Sequence, residues 1–229
     1  CGTLFPYTTL FRSPAAESFP YIRSWAFTLI GIDEFLAVEP EEGHTTGMRE
    51  LLAGKLFEKY QANAVDDWPW WENVVTYDNA KLSHALLVSG EAMGRDDMTE
   101  AALKSLRWLI DVQTAEDGHL SIIGNQGWMT RSGVHAHFDQ QPLEAHAVVH
   151  ASLAAARITG DARWVEDALR GARWFLGDND LGLPLYNGET GGCHDGLLDG
   201  AVNANQGAES TLAYLLSVLE LHQYVAEQH

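Results

Sequence analysis

The sequence predicts an all-α protein assembled from repeated helical hairpins. Three observations carry this reading. Seven segments place apolar residues at helical spacing, strand-like alternation is scarce, and one hairpin-sized unit occurs twice. The duplication is direct: "ALKSLRWLI" at 102–110 returns as "ALRGARWFL" at 168–176, 66 positions later. The same offset pairs "HALLVSG" (84–90) with "HASLAAA" (150–156) and "GRDD" (94–97) with "GDAR" (160–163). Each unit reads as helix, Gly-bearing turn, helix and polar loop. A lone helical hairpin cannot bury both apolar faces, so such units must stack, as a solenoid or a closed toroid.

In chain order, the helical segments run over Tyr21–Val38, Thr46–Ala62, Ala80–Met93 and Asp97–Thr114, then Pro142–Ile158, Ala162–Leu176 and Gln206–Val225. Asp78 or Asn79 is placed to cap the third. Pro142 suits the first turn of the fifth. In the last, Leu212, Leu215, Leu216 and Leu219 follow the spacing of a single apolar face. The one strand candidate is "HLSIIG" at 119–124.

Long segments rich in Gly, Asp, Asn, His and aromatics separate the hairpins, at 66–79, 116–142 and 177–207. Loops of this length are uncommon in compact domains unless they serve a function. They lie on successive connections between hairpins, so they should gather at one end of the helices, with the turns around Gly94 and Gly160 at the other. This arrangement favours a toroid over an open solenoid.

Net charge is −18, with 32 acidic against 14 basic residues. That field repels phosphate backbones and anionic lipid, which argues against nucleic-acid and membrane-surface partners and leaves neutral or cationic small molecules. No apolar run is long enough to span a bilayer. The two cysteines, Cys1 and Cys193, have neither metal-site spacing nor a disulfide framework, so a reducing, cytoplasmic setting is expected.

The motifs "WPWWENVVTYDNAKL", "GHLSIIGNQGW", "FDQQPLEA", "TGGCHDGL" and "NANQGAESTLAYL" resemble a bacterial domain of the six-hairpin glycosidase-like superfamily, of the kind found with glycosyltransferases. The resemblance covers roughly residues 20–226. It implies an (α/α)6 toroid and a carbohydrate-related role, without assigning catalytic residues. Six hairpins need twelve helices and seven are visible, so residues 14–229 are expected to be the C-terminal portion of a single toroid domain. Such a fragment would leave apolar faces open and prone to self-association. Residues 1–13 are set apart as an artefactual leader, because "TLFPYTTLFRS" (3–13) resembles a translated sequencing adapter.

Glycosidic chemistry needs two carboxyl groups flanking the scissile oxygen, with aromatic platforms and a polar rim for the sugar. In the first loop, Trp68, Trp70, Trp71 and Tyr77 with Glu72 and Asp78 suit a sugar subsite; alternatively the Trp rings plug one end of the fold. In the second, Trp128, His137, Gln140 and Gln141 surround Asp139, either a catalytic acid or base or a helix-capping group. In the third, Asp195 beside His194 is an acid/base candidate, whereas Cys193 is poorly placed as a nucleophile for its neighbour. At the start of the last helix, Asn203, Asn205 and Gln206 could contact sugar hydroxyls. Glu209 there is either a ligand contact or a first-turn carboxylate favoured by the helix dipole.

The sequence-based assignment is therefore a domain that binds an oligosaccharide or glycoconjugate and processes it through Asp139, Asp195 and Glu209. The alternatives are a non-catalytic glycan-binding partner of a glycosyltransferase and a sugar epimerase dependent on histidines. The pairs His135/His137 and His146/His150 raise the question of a metal. However, no Glu follows His146 in the zinc-protease pattern, and His150 aligns with His84 as a packing residue. No metal and no cofactor are expected.

Overall fold

The computed structural model describes residues 18–228; the leader assigned to 1–13 lies outside the described residues. Seven helices are present among the described residues: α1 Ile22–Val38, α2 Gly43–Asn63, α3 Ala80–Ala92, α4 Asp96–Val112, α5 Pro142–Thr159, α6 Arg163–Trp174 and α7 Ala208–Glu227. Local chemistry accounts for their ends. The Glu42 carboxylate accepts from Thr45 N at 2.6 Å at the start of α2. Asp96 and Asp97 lie in the first turn of α4, where the helix dipole favours them. Pro142 opens α5, and Gly160 ends it in the left-handed conformation (φ +67°).

Helices α1, α3, α5 and α7 pack side by side in one row, and α2, α4 and α6 lie behind them. The short turns at 39–42, 93–95 and 160–162 are all at one end, and the long connections at 64–79, 113–141 and 175–207 are all at the other. These connections are tied to one another. Strand β1 (Val74–Val75) pairs antiparallel with β2 (Met129–Thr130), joining the first loop to the second. Gln140 and Leu197 exchange backbone hydrogen bonds, joining the second to the third. Within the third loop, β3 (Leu197–Leu198) pairs with β4 (Ala201–Val202).

The 66-residue repeat has a packing basis. Where α3 crosses α4, the hydroxyls of Ser83 and Ser105 meet at 2.8 Å. At the equivalent crossing of α5 and α6, Gly171 lies so close to Val149 that an added Cβ would stand 2.9 Å from its Cγ2 and 3.1 Å from Ala145 O. Both crossings need a small residue because the helices approach closely there. Gly94 (φ +62°) and Gly160 (φ +67°) occupy matching left-handed positions in the two turns.

One expectation is corrected. The segment 119–124 forms no strand beyond an isolated bridge between Thr114 and Leu120. Its backbone is instead held by Gln113: Ser121 N donates to the Gln113 carbonyl at 2.7 Å and Ile123 N to its side chain at 3.2 Å. In α7, the leucine face at 212, 215, 216 and 219 is not buried; its members are 40–55 % exposed. The helix packs through Ser210, Ala213 and Ser217, whose small side chains let α7 approach α5.

Replacing Gly171 by Ala should lower the unfolding free energy by about 1–3 kcal/mol through overpacking. By contrast, Gly54→Ala in α2 meets nothing within 4 Å and should raise it by about 0.5–1 kcal/mol. Urea denaturation of the two variants checks both signs.

Candidate functional site

At the loop-bearing end, the N-termini of α1, α3 and α5 are joined by a buried polar network. Asp78, in the left-handed conformation (φ +48°), precedes α3. Its backbone N–H donates to Glu144 Oε1 in the first turn of α5. Glu144 Oε2 accepts from Asn79 N and from Asn79 Nδ2, both at 3.1 Å. Arg23 of α1 completes the network, donating to Tyr77 O (2.6 Å), Glu72 Oε2 (2.8 Å) and Asn79 Oδ1 (3.4 Å), with its guanidinium 4.8 Å from the centre of the Tyr77 ring.

Burial sets the protonation of this network. Desolvation, then the charge of Asp78, pushes the Glu144 carboxyl up to about 7, although the Asn79 and Asp78 N–H groups and Arg23 oppose the shift. Asp78 is also raised, chiefly by burial; Lys81, His146 and Arg23 oppose this and Glu209 adds to it. Asp78 Oδ1 is buried and has no hydrogen-bond partner. The Glu144 oxygens are occupied in holding the Asp78–Asn79 turn, so the carboxyl group left with free capacity is that of Asp78.

Along the same row of helices, Lys81 Nζ lies 2.9 Å from His150 Nδ1, and the ring of His150 meets that of His84 at 4.1 Å. The repeat aligns these two histidines, and their rings meet edge-on. His150 and His84 line a cavity of about 560 Å³ between α1, α3, α5 and α7, together with Asp33, Arg157 and Glu220.

The residues proposed from sequence are distributed differently from expectation. Trp68, Trp70 and Trp71 are at most 4 % exposed. Trp68 and Trp70 pack on Trp108, Trp71 packs on Tyr60, and Trp71 Nε1 donates to Leu56 O. Rings enclosed in this way have no face to stack on a sugar; they plug the end of the helix layers. Glu72 is engaged by Arg23, while Tyr77 remains 47 % exposed. Gln140 is fully buried: its side chain accepts from Trp174 Nε1 and donates to His137 O and Asp180, so it joins loops rather than offering a ligand contact.

Asp195 is also committed to structure. One oxygen accepts from Gly207 N (2.6 Å) at the start of α7 and the other from Asn205 Nδ2. Burial alone would raise its pKa, but Asn205, Gly207 N–H and Ser210 outweigh that and hold the carboxyl below its usual range. An ionised, fully engaged carboxylate is unsuited to donate a proton. Cys193 is buried, and desolvation followed by the charge of Asp195 pushes its thiol up to about 12, which leaves it inert.

Asp139 is half-buried and accepts from Gln126 Nε2 at 3.1 Å. Gln141 and Trp128 are half-buried, and His137 is exposed beside His135. His194 Nδ1 contacts Asn203 O at 2.7 Å, Asn203 Oδ1 accepts from Asn205 N, and Gln206 Oε1 accepts from Thr190. Glu209 is exposed in the first turn of α7. Glu144, Arg23, Lys81 and Glu220 were not selected from sequence. The repeat held one available signal: Asp78 and Glu144 stand 66 positions apart, at the same place in successive units.

Glu144 makes stability depend on pH. Its folded pKa is raised from 4.5 to about 7, so the folded state keeps a proton that the unfolded chain releases in that window. Stability should be greatest below pH 4.5 in this respect and fall by up to about 3 kcal/mol as pH rises to 7. Glu144→Gln should flatten this slope. Urea unfolding at pH 5, 6 and 7 compares the two, and equal slopes would contradict the assignment. No protein-family model and no curated protein matches the chain, so its function is read from geometry.

Proposed function

We propose that this is a carbohydrate-active domain, an arc of an α/α toroid that binds a neutral glycan at its loop-bearing end and processes it by carboxylate acid/base chemistry. The observation that carries this reading is the Asp78 turn. A carboxyl group with a raised pKa and an unpaired oxygen sits at the N-terminus of α3, within electrostatic reach of exposed Glu209 at the N-terminus of α7. Asp78 is the proton donor, its carboxyl raised above the ordinary range by burial. Glu209 is its partner, acting as base or nucleophile. Glu144 positions Asp78 by holding its backbone. Asp139, at the junction of the second loop with α5, remains a further acid/base candidate. Exposed Tyr77 and the polar groups of Asn203, Asn205 and Gln206 supply the rim. The leucine face left open on α7 fits an arc that further hairpins would extend toward closure.

A second reading is a non-catalytic, glycan-binding partner of a glycosyltransferase. It is favoured by the commitment of Asp195 to capping α7, which removes one of the carboxylates expected to react.

Turnover of mixed oligosaccharides, followed by reducing-end release, separates the two. On the enzymatic reading, Asp78→Asn and Glu209→Gln each lower kcat at least about 100-fold while glycan binding persists. Glycan binding by the wild-type chain with no turnover selects the accessory role. Absence of both overturns the carbohydrate assignment.

A further inference from the structure

The row α1, α3, α5 and α7 carries a second cluster that the Asp78 turn does not use. His146 and His150 stand one turn apart on α5, and Glu220 of α7 faces them. Glu220 Oε1 lies 3.2 Å from His146 Nε2 and 3.5 Å from His150 Nδ1, and one ligand atom from each residue falls within 4.8 Å of the others. A tetrahedral zinc ion with bonds of about 2.0–2.1 Å separates its ligand atoms by about 3.3–3.4 Å, so these spacings match two edges of its coordination shell.

The surrounding chemistry agrees. Glu220 Oε2 is buried without a partner, and so is Nδ1 of His84, a 3 %-exposed residue whose ring meets that of His150 edge-on. Lys81 Nζ lies 2.9 Å from His150 Nδ1. An ammonium has no acceptor, so this nitrogen carries the lone pair that a metal would use. The Lys81 ammonium occupies the place of a cation among these groups.

We propose that His146 Nε2, His150 Nδ1 and Glu220 Oε1 form a three-ligand site for a zinc-class divalent cation, with the fourth position open to the cavity. Two histidines and one glutamate leave room for a water or a ligand hydroxyl, as in catalytic rather than structural zinc sites. Metal entry displaces the Lys81 ammonium from His150. The site does not rest on the glycan reading, and its test uses no activity.

The full chain is stripped with chelator and titrated with Co(II). Ligand-field bands of a tetrahedral complex should appear at one equivalent and be abolished by Zn(II), which should also raise the thermal midpoint. His146→Ala, His150→Ala and Glu220→Gln should each weaken binding at least about 100-fold. Lys81→Met, which removes the competing charge, should tighten it at least about tenfold. The double variant His135→Ala/His137→Ala should bind as wild type. Circular dichroism confirms that each variant is helical; if the alanine variants unfold, Glu220→Gln and the Zn(II)-induced midpoint shift of the wild type decide. The proposal is overturned if the wild type gives no bands and no midpoint shift, if the bands survive Glu220→Gln, or if they vanish with the His135/His137 pair.

Discussion

The grip of Glu144 on the Asp78–Asn79 turn is the interaction on which the functional end depends. Three N–H donors, two from the backbone and one from the Asn79 side chain, converge on one carboxyl group. Asn79 passes the constraint to Arg23, so α1, α3 and α5 are joined at their N-termini. Removing the acceptor would leave buried donors unsatisfied, a cost larger than the net worth of any one of these bonds. The same burial raises the pKa of Glu144 and Asp78. Structural constraint and chemical capacity therefore have one origin, the desolvation of polar groups between helix ends.

The repeat gives the molecule its polarity. Close helix crossings at Ser83–Ser105 and at Val149–Gly171 set the spacing of two successive hairpins, and left-handed glycines at 94 and 160 close their short turns. Every long connection is thereby sent to the opposite end. There the loops hold one another through β1–β2 and the Gln140–Leu197 pair, and they consume many of their own polar groups in doing so. Among the side chains left with unpaired capacity, His84 and Glu220 lie on the row α1, α3, α5 and α7, and Asp78 stands just before α3. α7 differs from the other members of the row: it docks through serines and an alanine and leaves its leucines open.

Residue type proved a weak guide to role within the loops. Trp68, Trp70 and Trp71 have the composition of a sugar platform, yet the hydrophobic payload that suits them to stacking also draws them into the core. Gln140 and Asp195 have the chemistry of ligand contacts, but a folded loop has its own donors and acceptors to satisfy, and these two residues do so. Conversely, Glu144 reads as an ordinary first-turn carboxylate, and Glu220 as one acid on an amphipathic helix. Nothing local marks either as a partner of residues 66 and 74 positions away.

The sequence by itself determined the helices, because periodicity, the Pro and Gly punctuation and the duplicated unit are local signals written in adjacent residues. It also determined that the long loops share one end, since that follows from connectivity alone. The tertiary structure decided which face of α7 is buried, which aromatics are enclosed, and which carboxyl groups are desolvated. Those outcomes depend on what stands opposite each side chain. Burial and hydrogen-bond partnership are properties of pairs distant in the chain, and pKa follows from them, so no single segment contains the information that sets the chemistry of Asp78, Glu144 or the His146–His150–Glu220 cluster.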